Sequence, residues 1–149
     1  MFIDRVAITF DAGHRLLDYV GKCASPHGHT FTAEIHITSH DLNAVGLIVD
    51  FGDVKTPLKR WIDEHWDHGF LLNDRDAVMI RALSDVPEAK QYLFAGTNPS
   101  AEVMARELFG IARELVGRIV QSVRIWESPH QYAEYRLDDP EDTAHGGRR

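Results

Sequence analysis

Two stretches of this chain alternate in polarity with a period of two, and that pattern sets the fold class. In residues 3–12, Val6, Ile8, Phe10 and Ala12 share one face, while Arg5, Ala7 and Thr9 take the other. In residues 29–38, Phe31, Ala33, Ile35 and Ile37 line up in the same way. Side chains at i and i+2 share a face of a strand, so each stretch reads as a strand with one buried side. The parity carries into three histidines. His14 is even, like the first apolar set, and His27 and His29 are odd, like the second. If both strands run that far, all three imidazoles sit at the ends of buried stripes. Gly28, between two of them, lets another backbone come close.

Burying three imidazoles together without a partner is expensive. A zinc ion removes that cost, because neutral histidine nitrogen is a good zinc ligand. Three protein ligands leave a fourth position open, which is the pattern of a catalytic centre. Cys23, four residues before His27, could instead supply the fourth ligand and close the site as a structural one. The spacing alone leaves both readings open. Cys23 is the only cysteine, so no intrachain disulfide forms, and a reducing compartment is expected. The N-terminal MFIDRVAITF carries Asp4 and Arg5 and fits neither a signal peptide nor a membrane span. Cytoplasm is the expected location.

The rest of the chain reads more coarsely. Residues 45–51 are a short apolar run that suits a third strand or a sheet edge. A helix is expected from about Asp53 to Trp66, with Val54, Leu58, Trp61, Ile62 and Trp66 at helical spacing; either Asp53 caps it or Thr56 precedes Pro57 at its first position. Residues 69–97 are expected to be loop with a helical turn or two. A second helix starts near Asn98-Pro99, read as cap then proline, carries Met104, Leu108, Ile111, Ala112 and Leu115, and ends at Gly117. Strands follow from Ile119 to Glu127 and from Tyr132 to Leu137. Strand, strand, two helices, strand, strand is an α+β order, an antiparallel sheet backed by helices. At 149 residues the chain suits one domain, here 1–137, with 138–149 as a polar tail. A formal charge of −7 disfavours non-specific nucleic-acid or membrane binding but not a small anion in a local basic pocket.

Several carboxylates and one further histidine stand out. Glu127 is odd like Val123 and Ile125, so it points toward the buried face at a strand end and takes a partner there, a ligand with N–H donors or a salt bridge, unless the strand end faces solvent. Asp67-His68 is either a carboxylate-oriented imidazole suited to proton transfer or ordinary polar surface. Glu102 fits the first turn of a helix, where the dipole favours a carboxylate.

Together these blocks resemble the 6-pyruvoyl-tetrahydropterin synthase / 6-carboxytetrahydropterin synthase family. They are FDAGHRL (Phe10 to Leu16), GKCASPHGHTF (Gly21 to Phe31), VDFGDVK (Val49 to Lys55), WDHGFLLND (Trp66 to Asp74), NPSAE (Asn98 to Glu102) and IWES (Ile125 to Ser128). Asp11 stands where many members have Ser. The resemblance implies the tunnelling fold (T-fold), a four-stranded antiparallel sheet with two helices on one face, whose trimers join into a barrel and stack as a hexamer with active sites between subunits. It implies Zn2+ on His14, His27 and His29, proton transfer by Cys23 with Asp67 and His68, and a pterin ring anchored by Glu127 and near Glu102. Cys-x3-His-Gly-His is the spacing of the bacterial queuosine-pathway branch, so the implied reaction converts dihydroneopterin triphosphate to 6-carboxytetrahydropterin, acetaldehyde and triphosphate. The 6-pyruvoyl product on the same substrate is the alternative, and a non-catalytic zinc- or pterin-binding oligomer is a further one. Arg15 and Lys22 lie beside the motifs as candidates to meet the triphosphate.

Overall fold

A computed structural model describes residues 1–137; the expected polar tail, 138–149, lies outside the described residues. The two alternating stretches form long strands, β1 (Phe2–His14) and β2 (His27–Ser39), paired antiparallel in one register from Phe2↔Ser39 to His14↔His27. Val6, Ile8, Phe10 and Ala12 from β1 and Phe31, Ala33, Ile35 and Ile37 from β2 are all buried on the same side. The rings of Phe10 and Phe31, opposite one another, stack at 5.3 Å between centroids. The other side of the sheet is polar. There Glu34 is 4 % exposed yet ionised: burial pushes its pKa up, and the Arg5 guanidinium, Trp126 and His36 outweigh that and bring it below the usual carboxylate range. A buried stripe on one side and a paired charge on the other fix the register, because a slip by one residue would exchange them.

Two amphipathic helices cover the apolar side. Helix α1 (Phe51–His65) turns Val54, Leu58 and Ile62 inward, followed by the fully buried Trp66. Asp50 caps it by accepting from the Gly52 N–H, so the helix begins before both expected caps. Residues 45–49 therefore lead into a helix and form no strand; Asn43 closes a turn there, its side chain accepting from the Val45 and Leu47 amides.

The expected four-stranded antiparallel sheet is corrected to a mixed sheet of six strands in the order β4-β3-β1-β2-β5-β6. The segment expected as loop holds β3 (Gly69–Asn73), α2 (Ala77–Ser84) and β4 (Lys90–Phe94). β3 lies parallel to β1 and β4 parallel to β3, with α2 in the crossover. Among the described residues there are thus three α-helices rather than two. Helix α3 (Ala101–Leu115) is capped by Ser100, whose hydroxyl accepts from Val103 N–H, and not by Asn98. It buries Met104, Leu108, Phe109 and Ala112. The two expected C-terminal strands form as β5 (Val120–Ser128) and β6 (Gln131–Arg136), and β5 pairs with both β2 and β6. Among the described residues no helix is long and apolar enough to cross a membrane.

The centre of this core is Ile35, fully buried and opposite Val6 on one side and Val123 on the other. Ile35→Ala is expected to lower unfolding free energy by about 2–5 kcal/mol, against less than about 0.5 kcal/mol for Lys55→Ala on the exposed side of α1. Urea denaturation of the two variants measures the difference.

Candidate metal centre and its surroundings

Antiparallel pairing places His14 directly opposite His27, and Ala12 opposite His29. The three imidazoles gather at one end of the buried stripe, with ring centroids 4.6, 5.2 and 5.0 Å apart. One ring nitrogen from each lies within 4.8 Å of the others. Gly28 leaves room for this close approach: a Cβ there would stand 3.1 Å from the Ala12 carbonyl oxygen.

The hydrogen bonds decide which nitrogens are free. His14 Nδ1 donates to the Pro99 carbonyl at 2.8 Å, and His27 Nδ1 to the Ser25 carbonyl at 2.7 Å. A carbonyl only accepts, so each neutral ring carries its proton on Nδ1 and offers a lone pair at Nε2. The two Nε2 atoms then face each other at 3.1 Å. Two lone pairs at that distance repel unless a cation lies between them. Two nitrogens at about 2.0–2.1 Å from a tetrahedral zinc ion are about 3.3 Å apart. The donor set therefore fits a divalent metal, with backbone carbonyls orienting two of its ligands.

His14 is 2 % exposed, and burial, reinforced by the neighbouring His27 and His29, lowers its pKa from 6.5; the Pro99 carbonyl and Glu127 act the other way without winning. The neutral, metal-ready ring is the favoured form. Cys23 lies in a single 3-10 turn, Lys22–Ala24, and its thiol is not among the atoms that converge within 4.8 Å. Its place is the wall of an adjoining cavity of about 230 Å³, shared with His14, Glu102 and Glu127. The closed, four-ligand reading thus finds no support in the geometry, while the position facing this cavity stays open.

Glu127 reaches the cavity through a bulge. Trp126 pairs with Tyr132 and Ser128 with Gln131, leaving Glu127 without a partner on β6. Bulges re-aim side chains in this way. Glu127 Oε1 comes to 3.9 Å from His14 Nε2. Glu102 lines the same cavity from the exposed first turn of α3, a place the helix dipole also favours.

Asp67 and His68 form a pair, with His68 Nδ1 2.8 Å from Asp67 Oδ2. The β1 backbone holds both: Asp11 N–H donates to Asp67 Oδ1 at 2.9 Å, and Asp11 C=O accepts from His68 N–H at 2.7 Å. Burial raises the Asp67 pKa, and the Asp11 amide and His68 outweigh it, so the carboxyl lies below its ordinary value. His68 is in the left-handed region, φ 56°, and its ring is 78 % exposed. His68 lines a second cavity, of about 520 Å³, together with Asp11, His29 and Lys90. Within one chain it is not brought to the Cys23 cavity.

Of the two cations considered for an anionic substrate, Arg15 is already committed. Its guanidinium grips the buried Asp76, the cap of α2, through Nε and, at 2.9 Å, through Nη2. Lys22 is exposed beside Cys23. Sequence patterns gave no sign of Lys90. Its ammonium ties the Asp63 and Asp67 carbonyls at 2.6 and 2.7 Å, fixing the turn that presents His68. That residue lies on a strand too short to show a period.

Fold and site together define a class: an α+β protein with an open three-histidine centre beside a cysteine- and carboxylate-lined cavity. The family model described as 6-pyruvoyl tetrahydropterin synthase matches residues 5–138, and the chain belongs to that family. A Rickettsia conorii protein named 6-carboxy-5,6,7,8-tetrahydropterin synthase is 34% identical over 131 residues, covering 85% of this chain and 94% of that one. A Haemophilus influenzae protein of the same name is 30% identical over 143 residues, covering 91% and 99%. The Caenorhabditis elegans 6-pyruvoyl tetrahydropterin synthase structure shares the fold, with a TM-score of 0.68 at 18% identity over 92% of this chain and 96% of that one.

Linkage gives the sign of the pH effect on the metal-free chain. The folded His14 pKa lies below the unfolded value of 6.5, so the unfolded state takes up the proton first. Stability is full above that value and falls as pH drops below it. The melting temperature of chelator-treated protein is expected to decrease from about pH 7.5 to about 5.5, with a shallower slope in His14→Gln. An unchanged slope in the variant would assign the effect elsewhere.

Proposed function

We propose that this chain is a zinc-dependent 6-carboxy-5,6,7,8-tetrahydropterin synthase, acting on 7,8-dihydroneopterin triphosphate with release of acetaldehyde and triphosphate. The observation that carries this reading is the convergence of free imidazole nitrogens beside a cavity that also holds a thiol and two carboxylates. The named relatives above 30% identity favour the 6-carboxy product over the 6-pyruvoyl one. A place in queuosine formation in the cytoplasm is part of the same proposal.

His14, His27 and His29 would hold the ion. Zinc, when bound, supplies Lewis acidity that polarises the oxygens of the substrate side chain and acidifies the adjacent C–H. Glu127 accepts from N–H groups of the pterin ring and so fixes the reacting carbons relative to the histidines. Glu102 accepts from the ring at the helix end of the same cavity. Cys23, at its wall, takes or returns a proton at the side-chain carbons. His68, oriented by Asp67, does the same from its Nε2, since Nδ1 is committed to the carboxylate. His68 and Cys23 line different cavities of one chain. We therefore assign the complete site to two chains, the thiol of one meeting the imidazole of another, in a trimer-based barrel that stacks as a hexamer.

Incubation with dihydroneopterin triphosphate and mass analysis of the product tests the reaction. The 6-carboxy product with acetaldehyde is expected, and a 6-pyruvoyl product, or none, would overturn the assignment. Cys23→Ala is expected to keep its zinc and lose about 100-fold or more in kcat.

The shared site makes a separate prediction. Cys23→Ala and His68→Ala, each inactive alone, are expected to recover about a quarter of wild-type rate when unfolded and reassembled together at equal amounts, the random chance of an intact pairing. No recovery in properly assembled mixtures would place both groups in one chain's site.

A further inference from the structure

Asn98 does not cap α3, although its place before a proline suggests that it should; Ser100 does. Its side chain lines neither cavity of the proposed site. It is spent on the segment that joins the metal ligand His14 to Cys23. Asn98 Oδ1 accepts from Leu17 N–H at 2.8 Å, and Asn98 Nδ2 donates to Leu17 C=O at 2.9 Å. The backbone N–H can only donate and the carbonyl only accept, which fixes the orientation of the amide. Asn73 Nδ2 donates to the same Oδ1 at 3.2 Å. The amide thus copies what a neighbouring strand would offer to one residue.

That grip reaches the thiol through one more bond. Leu16 N–H donates to the Cys23 carbonyl at 2.8 Å, closing the loop 16–23 on itself. The loop has little else to hold it. Val20 is 97 % exposed, Tyr19 is 50 % exposed, and Asp18 sits at φ 58°. Segments with few buried apolar contacts open easily, so the Leu16–Leu17 main chain needs a fixed partner if Cys23 is to stay beside His14. The next residue, Pro99, supplies the carbonyl that orients His14. One dipeptide thereby sets both the ligand ring and the loop that carries the thiol.

We propose that Asn98 is a positioning residue: its amide clamps the Leu17 main chain and, through the adjoining Leu16, holds the Cys23 turn against the three-histidine centre. The catalytic consequence rests on the reading of Cys23 as a proton-transfer group; the clamp itself does not. No other side chain but Gln carries both a donor and an acceptor in this form, and Gln is longer by a methylene. Asp would keep the acceptor for Leu17 N–H and set a negative charge against Leu17 C=O. Ala would remove both bonds.

Because Cys23 is the only cysteine, alkylation of the folded, zinc-loaded protein by iodoacetamide reports this loop alone. Asn98→Ala and Asn98→Asp are compared with Ile62→Val, a mild core change in α1. In the Asn98 variants labelling is expected to quicken by about tenfold. Their kcat is expected to fall by about 10- to 100-fold with KM within about threefold and zinc content unchanged. Ile62→Val is expected to stay within about twofold on every count. Should Asn98→Ala fail to fold, Asn98→Asp decides. Wild-type labelling in a folded Asn98 variant, or an equal change in Ile62→Val, overturns the proposal, as does wild-type kcat while Cys23→Ala is inactive. If Cys23→Ala instead turns over normally, the reading of the thiol has failed, and the labelling rate alone decides the clamp.

Discussion

The pairing of β1 with β2 is the constraint on which the rest depends. Thirteen consecutive partners, from Phe2↔Ser39 to His14↔His27, lock two strands in one register. Side chains alternate, so the same register that buries eight apolar residues on the helix side also turns three imidazoles to that side. A slip of one residue would bring Arg5 and Glu34 under the helices and the histidines out of it. Burying each large apolar side chain is worth about 1.5–3 kcal/mol, so this core fixes the ligand geometry far more firmly than the ligands could alone. The backbone carbonyls of Ser25 and Pro99 orient two of the rings within it.

How much of this was legible in the sequence follows from where a period could form. β1 and β2 each bury one side only, and their alternation is plain. α1 and α3 carry apolar stripes across 15 residues each, enough for the helical spacing to show. The stretch between them hid two strands and a helix. β3 is only five residues, GFLLN, with four of them buried, so no alternation exists to be read. β4 is as short, and α2 spans eight residues, barely two turns. The parallel crossover through α2 has no local signature either, because it is a property of three elements at once. The result is a mixed sheet of six strands where four antiparallel ones were expected.

The site divides along the same line. The histidines were legible because their convergence follows from parity. Glu127 was legible by parity too, though the bulge that frees it from β6 was not. Arg15, beside the motif, was a fair candidate for an anion until Asp76 appeared within hydrogen-bonding distance of it. Such a partner lies 61 residues away, and sequence offers no sign of which cation such a carboxylate will take. Lys90 and Asn98 escaped for a similar reason. Each acts through backbone groups of remote segments, Asp63 and Asp67 in one case and Leu17 in the other, and backbone atoms leave no trace in residue identity.

This last point bears on how a centre of this kind tolerates change. Asp11 departs from the serine that many resembling chains carry, yet the contacts it makes to the Asp67–His68 pair run through its backbone N–H and C=O. Its carboxylate is turned to Thr30 instead, which donates to it at 2.5 Å. The orientation of the pair therefore depends on β1 being a strand at that point and not on what side chain stands there. The same holds for Ser25 and Pro99, which serve their histidines through carbonyls alone. A site held largely by main-chain groups is as rigid as the sheet that carries it. Its side chains are left free to vary wherever they do not touch the three imidazoles, the thiol or the cavity wall.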